Sequence, residues 1–116
     1  PRNAIMLHPK VKETNEHRMM LRQLGSTWLR EQRVRVRLSQ RAVSDKLGID
    51  SHTFISAIES GGPSLPEDRW EEYAQILEID WQEFCKTMLM YFMPEIYKAL
   101  FGAPSKKELN RGIGGG

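Results

Sequence analysis

Apolar residues recur along the chain at helical spacing. Met20, Leu21, Leu24, Trp28 and Leu29 fall at i, i+3 and i+4 positions and form one stripe, which predicts a helix from about Glu16. Gly25 interrupts it. Two readings stay open, a short helix ending near Leu24 or one long helix weakened at Gly25, with a helix from about Ser26 to Val36 in either case. Leu38, Val43 and Leu47 mark the next helix, with Ser39 as its N-cap and Gly48 as its stop, because a left-handed residue is cheap only without a Cβ. Asp50 and Ser51 are capping positions for a following helix that places Ile55 and Ile58 on one face and ends at Gly61 and Gly62 before Pro63. The loop after it leads to a helix with Ser64 as cap and Pro66, Glu67 and Asp68 in its first turn. Its inner face is Trp70, Tyr73, Ala74 and Leu77. Asp80 caps a last helix, which Pro94 kinks or restarts to leave Glu95 to Phe101 as a separate piece.

Two short helices around a glycine turn, Leu38 to Gly61, make a helix-turn-helix, whose second helix can lie in a major groove. The run resembles the phage-repressor, Cro-like class of bacterial helix-turn-helix proteins. Leu38-Ser39-Gln40, Ser44, Leu47-Gly48-Ile49 and Ile55 to Gly61 match its pattern in both spacing and residue type. The resemblance covers roughly Leu24 to Thr87 and implies an all-α, five-helix lambda-repressor-like DNA-binding domain, here with an added C-terminal helical extension. One departure is visible: between Gly48 and Ile55 stands one residue more than the pattern has, so the turn or the first turn of the recognition helix must differ. The resemblance also implies that Arg33 pairs with Glu59, tying the first family helix to the end of the recognition helix.

On this reading Gln40 and the amides at the start of the second helix meet a phosphate, favoured by the positive end of the helix dipole. Arg35, Arg37, Arg41 and Lys46 add charge contacts to the backbone, and Ser39 belongs to the same edge. Ser51, His52, Thr53, Phe54, Ser56, Ala57 and Ser60 lie on or near the exposed side of a recognition helix beginning at about Ser51. His52 and Thr53 can bond base edges, and Phe54 can touch a thymine methyl. Phe54 and Ala57 equally suit simple packing. No Arg, Lys, Asn or Gln stands in this helix, so base-specific affinity per half-site is expected to be weak.

Charge distribution sharpens the picture. The net charge of +2 conceals a split: residues 1–41 hold ten Lys/Arg against three Glu, giving +7, and the remainder holds seven basic against twelve acidic residues, giving −5. Such polarity fits one face built for a polyanion. Glu67, Asp68, Glu71 and Glu72 are expected to face away from DNA. A chain of 116 residues can bury one modest core. Its single cysteine, Cys85, excludes an intramolecular disulfide framework and reads as a small apolar residue, since no His or acid is placed to activate it. No apolar run reaches membrane-span length and no signal peptide is visible, so a cytoplasmic location is expected. No Gly-rich phosphate loop, metal-ligand spacing or nucleophile–base pair occurs, so neither an enzyme nor a cofactor or metal is expected.

The last helical segment has more apolar groups than one stripe facing so small a core requires: Trp81, Phe84, Cys85, Met88, Leu89, Phe92, Met93, Ile96, Tyr97, Leu100 and Phe101. One reading is a homodimer through Met88, Phe92, Ile96, Tyr97 and Phe101; the other folds the segment back over the first helix and Trp28. Expected boundaries are a flexible arm over 1–15, the helix-turn-helix domain over 16–87, a dimerising extension over 88–103 and a flexible tail over 104–116. The function expected is sequence-specific double-stranded DNA binding by a homodimeric transcriptional regulator. The alternative is a protein–protein interaction module, an antitoxin or phage-encoded adaptor, whose apolar C-terminal helix grips another protein.

Overall fold

The computed structural model describes residues 9–51 and 53–111. Among them the backbone forms seven α-helices, one 3-10 turn and no strand. Helix α1 runs unbroken from Pro9–Arg35. A proline is well placed at its start, where its missing N–H would have no partner and its fixed φ suits the helix. The helix therefore begins inside the stretch expected to be an arm. It also passes straight through Gly25, whose role is close approach: a Cβ there would lie 2.7 Å from Phe92 Cζ and 2.7 Å from Tyr91 Cβ. The glycine that weakens the helix on its own is what lets α5 (Trp81–Phe92) lie against it.

Helices α2 (Gln40–Leu47), α3 (Phe54–Glu59) and α4 (Trp70–Ile76) follow. Helices α1 to α4 all end in one motif, a long bond closed over a shorter one with a left-handed residue between. Leu38 N–H reaches Arg33 O over Arg37 to Val34, and Ile49 reaches Ser44 over Gly48 to Asp45. Gly62 reaches Ala57 over Gly61 to Ile58, and Ile79 reaches Ala74 over Glu78 to Gln75. The left-handed residue is glycine in two of these ends, but Arg37 (φ 62°) and Glu78 (φ 58°) fill it in the others, at a cost of roughly 1 kcal/mol each.

Ser39 Oγ accepts from Ala42 N–H at 3.0 Å and caps α2. Ser64 caps nothing. A 3-10 turn, Glu67–Arg69, precedes α4, because Leu65 is buried and the Trp70 indole donates to its carbonyl at 2.9 Å. That holds 64–66 extended, and the residue before a proline disfavours helix anyway. Asp80 caps α5 (Trp81–Phe92), accepting from Glu83 N–H at 3.1 Å.

The core is continuous from α1 to α6 (Pro94–Phe101). Trp28 lies 5.7 Å from Phe84 and 6.3 Å from Tyr91 between ring centroids, and Phe84 stacks on Tyr73 at 6.1 Å. Leu29, Val43, Ile55, Ile58 and Leu77 are buried beneath them. The expected boundary at 87/88 thus falls inside α5, whose Met88, Met90 and Tyr91 belong to this core. Pro94 starts α6 (Pro94–Phe101), and the expected tail is folded as far as Arg111. There α7 (Lys106–Leu109) begins with a capping box of Ser105 and Glu108. Tyr91 OH donates to Leu109 O at 2.8 Å, Tyr97 OH to Glu108 Oε2 at 3.1 Å, and Arg111 to Thr87 Oγ1 at 2.8 Å.

Candidate nucleic-acid interface

Ile55 and Ile58 bury the inner side of α3, and Glu59 is buried with them. Helical spacing then sets Thr53, Ser56, Ala57 and Ser60, at i, i+3, i+4 and i+7, on the opposite side. Thr53, Ser56 and Ser60 are exposed and Ala57 half-buried. The result is a face of small side chains and hydroxyls, low enough for a base edge to come close. Phe54 is not on it; half-buried, it packs against the core.

The helix starts at Phe54, three residues later than expected. Neither Asp50 nor Ser51 caps it: the N-cap is Thr53, which makes no side-chain cap bond. Ser51 Oγ instead accepts from Thr53 N–H at 3.3 Å and lies 3.2 Å from Thr53 Oγ1. The turn absorbs the extra residue of the sequence pattern, so Ser51 and Thr53 sit ahead of the helix. His52 lies outside the described residues.

Glu59 is the anchor of α3. Its carboxylate accepts from Arg33 Nε at 2.8 Å and Arg33 Nη2 at 3.0 Å, a bidentate pair, and from Gln40 Nε2 at 3.1 Å. The Glu59 side chain is 2 % exposed and that of Arg33 12 %. The hydrogen bond to Glu59 holds the Arg33 proton more tightly than usual, against an opposing effect of burial. Gln40 thus spends its Nε2 on the scaffold at the very start of α2.

The expected basic contacts divide. Arg41 is exposed on α2 and Arg37 just beyond α1, with no partner among the described residues. Arg35, though exposed, already has partners within the molecule. Its guanidinium donates to Leu77 O at 2.6 Å and to Gln32 Oε1 at 2.9 Å, and it lines a cavity of about 450 Å³ with Glu78, Asp80 and Glu83. The carbonyl left open at the end of α4 draws the cation there. Lys46 opens onto a groove walled by Val36, Leu38, Gln75, Ile76 and Glu78, on the α4 side rather than beside α3. Arg22 is a further partner at the end of α3; its guanidinium donates to Gly62 O at 2.9 Å. Only its position on the same helical face as Arg33 signals this, and a long unbroken α1 is needed to see it.

Of the expected dimer residues, Met88 and Tyr97 are core, 0 % and 3 % exposed. Met88 faces inward from α5, and Tyr97 is held by Glu108 and by Phe101 at 5.1 Å. Phe92 is half-buried against Gly25. Ile96, Leu100 and Phe101 stay 49 %, 64 % and 50 % exposed. Of the two readings weighed from its sequence, the fold-back holds for α5, which packs on Trp28, while α6 keeps an open apolar side. Cys85 is half-buried, and burial, then Glu71, pushes its thiol up and away from the reactive thiolate.

Two short helices set across a glycine turn, with the second clamped at its end and its outer side open, define a helix-turn-helix DNA-binding domain. Residues 29–84 match the family model described as Helix-turn-helix. This segment is a helix-turn-helix of the phage-repressor, Cro-like type, and supports DNA binding in transcription regulation in general. No curated protein and no solved structure matches the chain.

Proposed function

We propose that the chain binds double-stranded DNA sequence-specifically as a homodimeric transcriptional regulator, with α3 in the major groove. The observation that carries this is the outward face of Thr53, Ser56, Ala57 and Ser60 on a helix whose inner side is locked by Arg33, Gln40 and Glu59. Hydroxyls can donate or accept at base edges, and Ala57 suits a thymine methyl. Arg37, Arg41 and the amides of α2 hold the backbone. Thr53, Ser56 and Ser60 carry no bidentate reader, so one copy gains little specificity and two half-sites are needed.

The open side of α6 supports the dimer. Covering a large apolar side chain fully contributes about 1.5 to 3 kcal/mol, and Ile96, Leu100 and Phe101 are about half covered already. Two copies together then gain roughly 5 to 9 kcal/mol, close to the entropy lost on association. The dimer is weak alone and strengthened on DNA. The same surface favours the second reading, a different protein seated on α6.

Selection of duplexes from a random-sequence pool tests the first reading. The protein should enrich one two-fold symmetric sequence, and Ser56→Ala should change the bases enriched. Enrichment of nothing, or identical sequences from both proteins, refutes it. Sedimentation with and without the selected duplex tests the dimer: Ile96→Glu with Leu100→Glu should abolish two-to-one binding and leave the monomer folded. A pair of charges that leaves stoichiometry unchanged moves α6 to the second reading.

A further inference from the structure

We infer that Arg22 and Gln23 are positioning residues for the DNA-reading helix. Both precede the segment matched by the family model, and the inference rests on α3 being the helix that reads DNA. A helix of six residues is too short to hold itself. What fixes its direction must come from neighbours, and the Glu59 pair by itself is one point about which α3 could pivot. A second point exists. Gly61 is left-handed (φ 91°), and Gly62 N–H closes the end of α3 on Ala57 O at 3.0 Å. Gly62 O in turn accepts from Arg22 Nη2 at 2.9 Å. Gln23 covers the other glycine so closely that a Cβ on Gly61 would meet its Oε1 at 2.5 Å.

Arg22 and Arg33 are eleven positions apart, three turns, and so share one face of α1 about 16 Å apart. Their guanidinium groups converge on residues 59 and 62 from opposite directions along that axis. Two attachments to one rigid helix set the angle at which Thr53, Ser56, Ala57 and Ser60 are presented. The Arg22 guanidinium is directed at a carbonyl rather than outward, so its contribution to DNA affinity comes through geometry and carries no phosphate contact.

Arg22→Met keeps the aliphatic stem and removes the guanidinium, which separates this role from a charge contact. The expected result is a loss of about three- to tenfold in affinity for a duplex selected by the wild-type protein, the net worth of one such hydrogen bond, at unchanged salt slope. Amide exchange at Ser60, Gly61 and Gly62 should accelerate by a similar factor, with core amides of α1 and α5 unchanged. A salt slope shallower by about 1 makes Arg22 a phosphate contact and overturns the inference. Unchanged affinity, or an equal acceleration of exchange throughout the molecule, overturns it too. If the wild-type protein selects no duplex, the DNA-binding reading fails by itself; exchange at the three amides still decides whether Arg22 holds the end of α3.

Discussion

Arg33 and Glu59 give the sharpest test of the scaffold, because the two partners are not equally buried. Arg33→Met strands a carboxylate that is 2 % exposed and leaves it one donor, Gln40 Nε2 at 3.1 Å. Breaking a buried pair in this way destabilises by about 3 to 5 kcal/mol. Glu59→Gln leaves a guanidinium that is 12 % exposed and still donates to Leu38 O at 2.8 Å. That change should cost about 1 to 3 kcal/mol, since the cation keeps one partner and can turn to water. The arginine change is therefore the worse of the two, and the double variant should be more stable than the sum of the single effects predicts by at least about 1 kcal/mol. Against a total stability of about 5 to 15 kcal/mol these differences are easily read. Urea unfolding followed by circular dichroism and by tryptophan fluorescence supplies all four corners of the cycle. Additive effects, or a larger loss from Glu59→Gln, would show that the pair does not hold α3 as described.

Gly25→Ala should destabilise by about 1 to 3 kcal/mol, because its Cβ would overlap Phe92 and Tyr91 and part α1 from α5; a thermal transition equal to or above the wild type's refutes this. Burial pushes Tyr91 up to about 12, with Arg111 opposing. Its folded value lies above the unfolded value of 10.0, so the stability linked to its neutral form is complete below pH 10 and is lost as pH rises toward 12. The loss is at most on the order of 2 kcal/mol once partial solvent screening at the hydroxyl is allowed for. Tyr91→Phe should flatten this alkaline decline in a denaturation series, and an equally steep decline would assign it to other groups.

The helices built on periodicity were legible, and the places where the sequence misled share a cause. Ile55, Ile58, Tyr73 and Phe84 advertise their burial by spacing, and the caps at Ser39 and Asp80 by residue type. Gly25 reads as a breaker because the property that weakens a helix, absence of a Cβ, is the one that close packing needs. Arg37 and Glu78 hide two helix ends, since neither is the glycine that signals a left-handed residue. The start of α3 is hidden for a local reason: Ser51 looks like a cap, yet its hydroxyl serves the turn that the inserted residue lengthens. Apolar count in the last segment could not divide Met88 and Tyr97, which face the core, from Ile96 and Leu100, which do not. That division depends on which way α6 leaves Pro94.

The charge of residues 1–41 shows how far composition overstates a surface. Four of the arginines behind the +7 already have partners within the molecule: Arg22 with Gly62 and Arg33 with Glu59 in part-buried contacts, and Arg18 with Glu95 at 2.7 Å and Arg35 with Leu77 at the exposed surface. Arg30, Arg37 and Arg41 have no partner among the described residues. Each phosphate neutralised steepens the dependence of log affinity on log salt by about 0.9, so if these three arginines are the contacts in each copy of the proposed dimer the expected slope is near −5, against one near −13 for seven charges per copy. The distinction bears on how the domain finds its site. A slope near −5 would mean modest nonspecific attraction and, on the proposed reading, would leave discrimination to α3 and to the pairing of two half-sites. It would also mean that the scaffold arginines fix the geometry of α3 at the expense of electrostatic reach, a division consistent with a reading face made of hydroxyls that must be presented at a defined angle to be read at all.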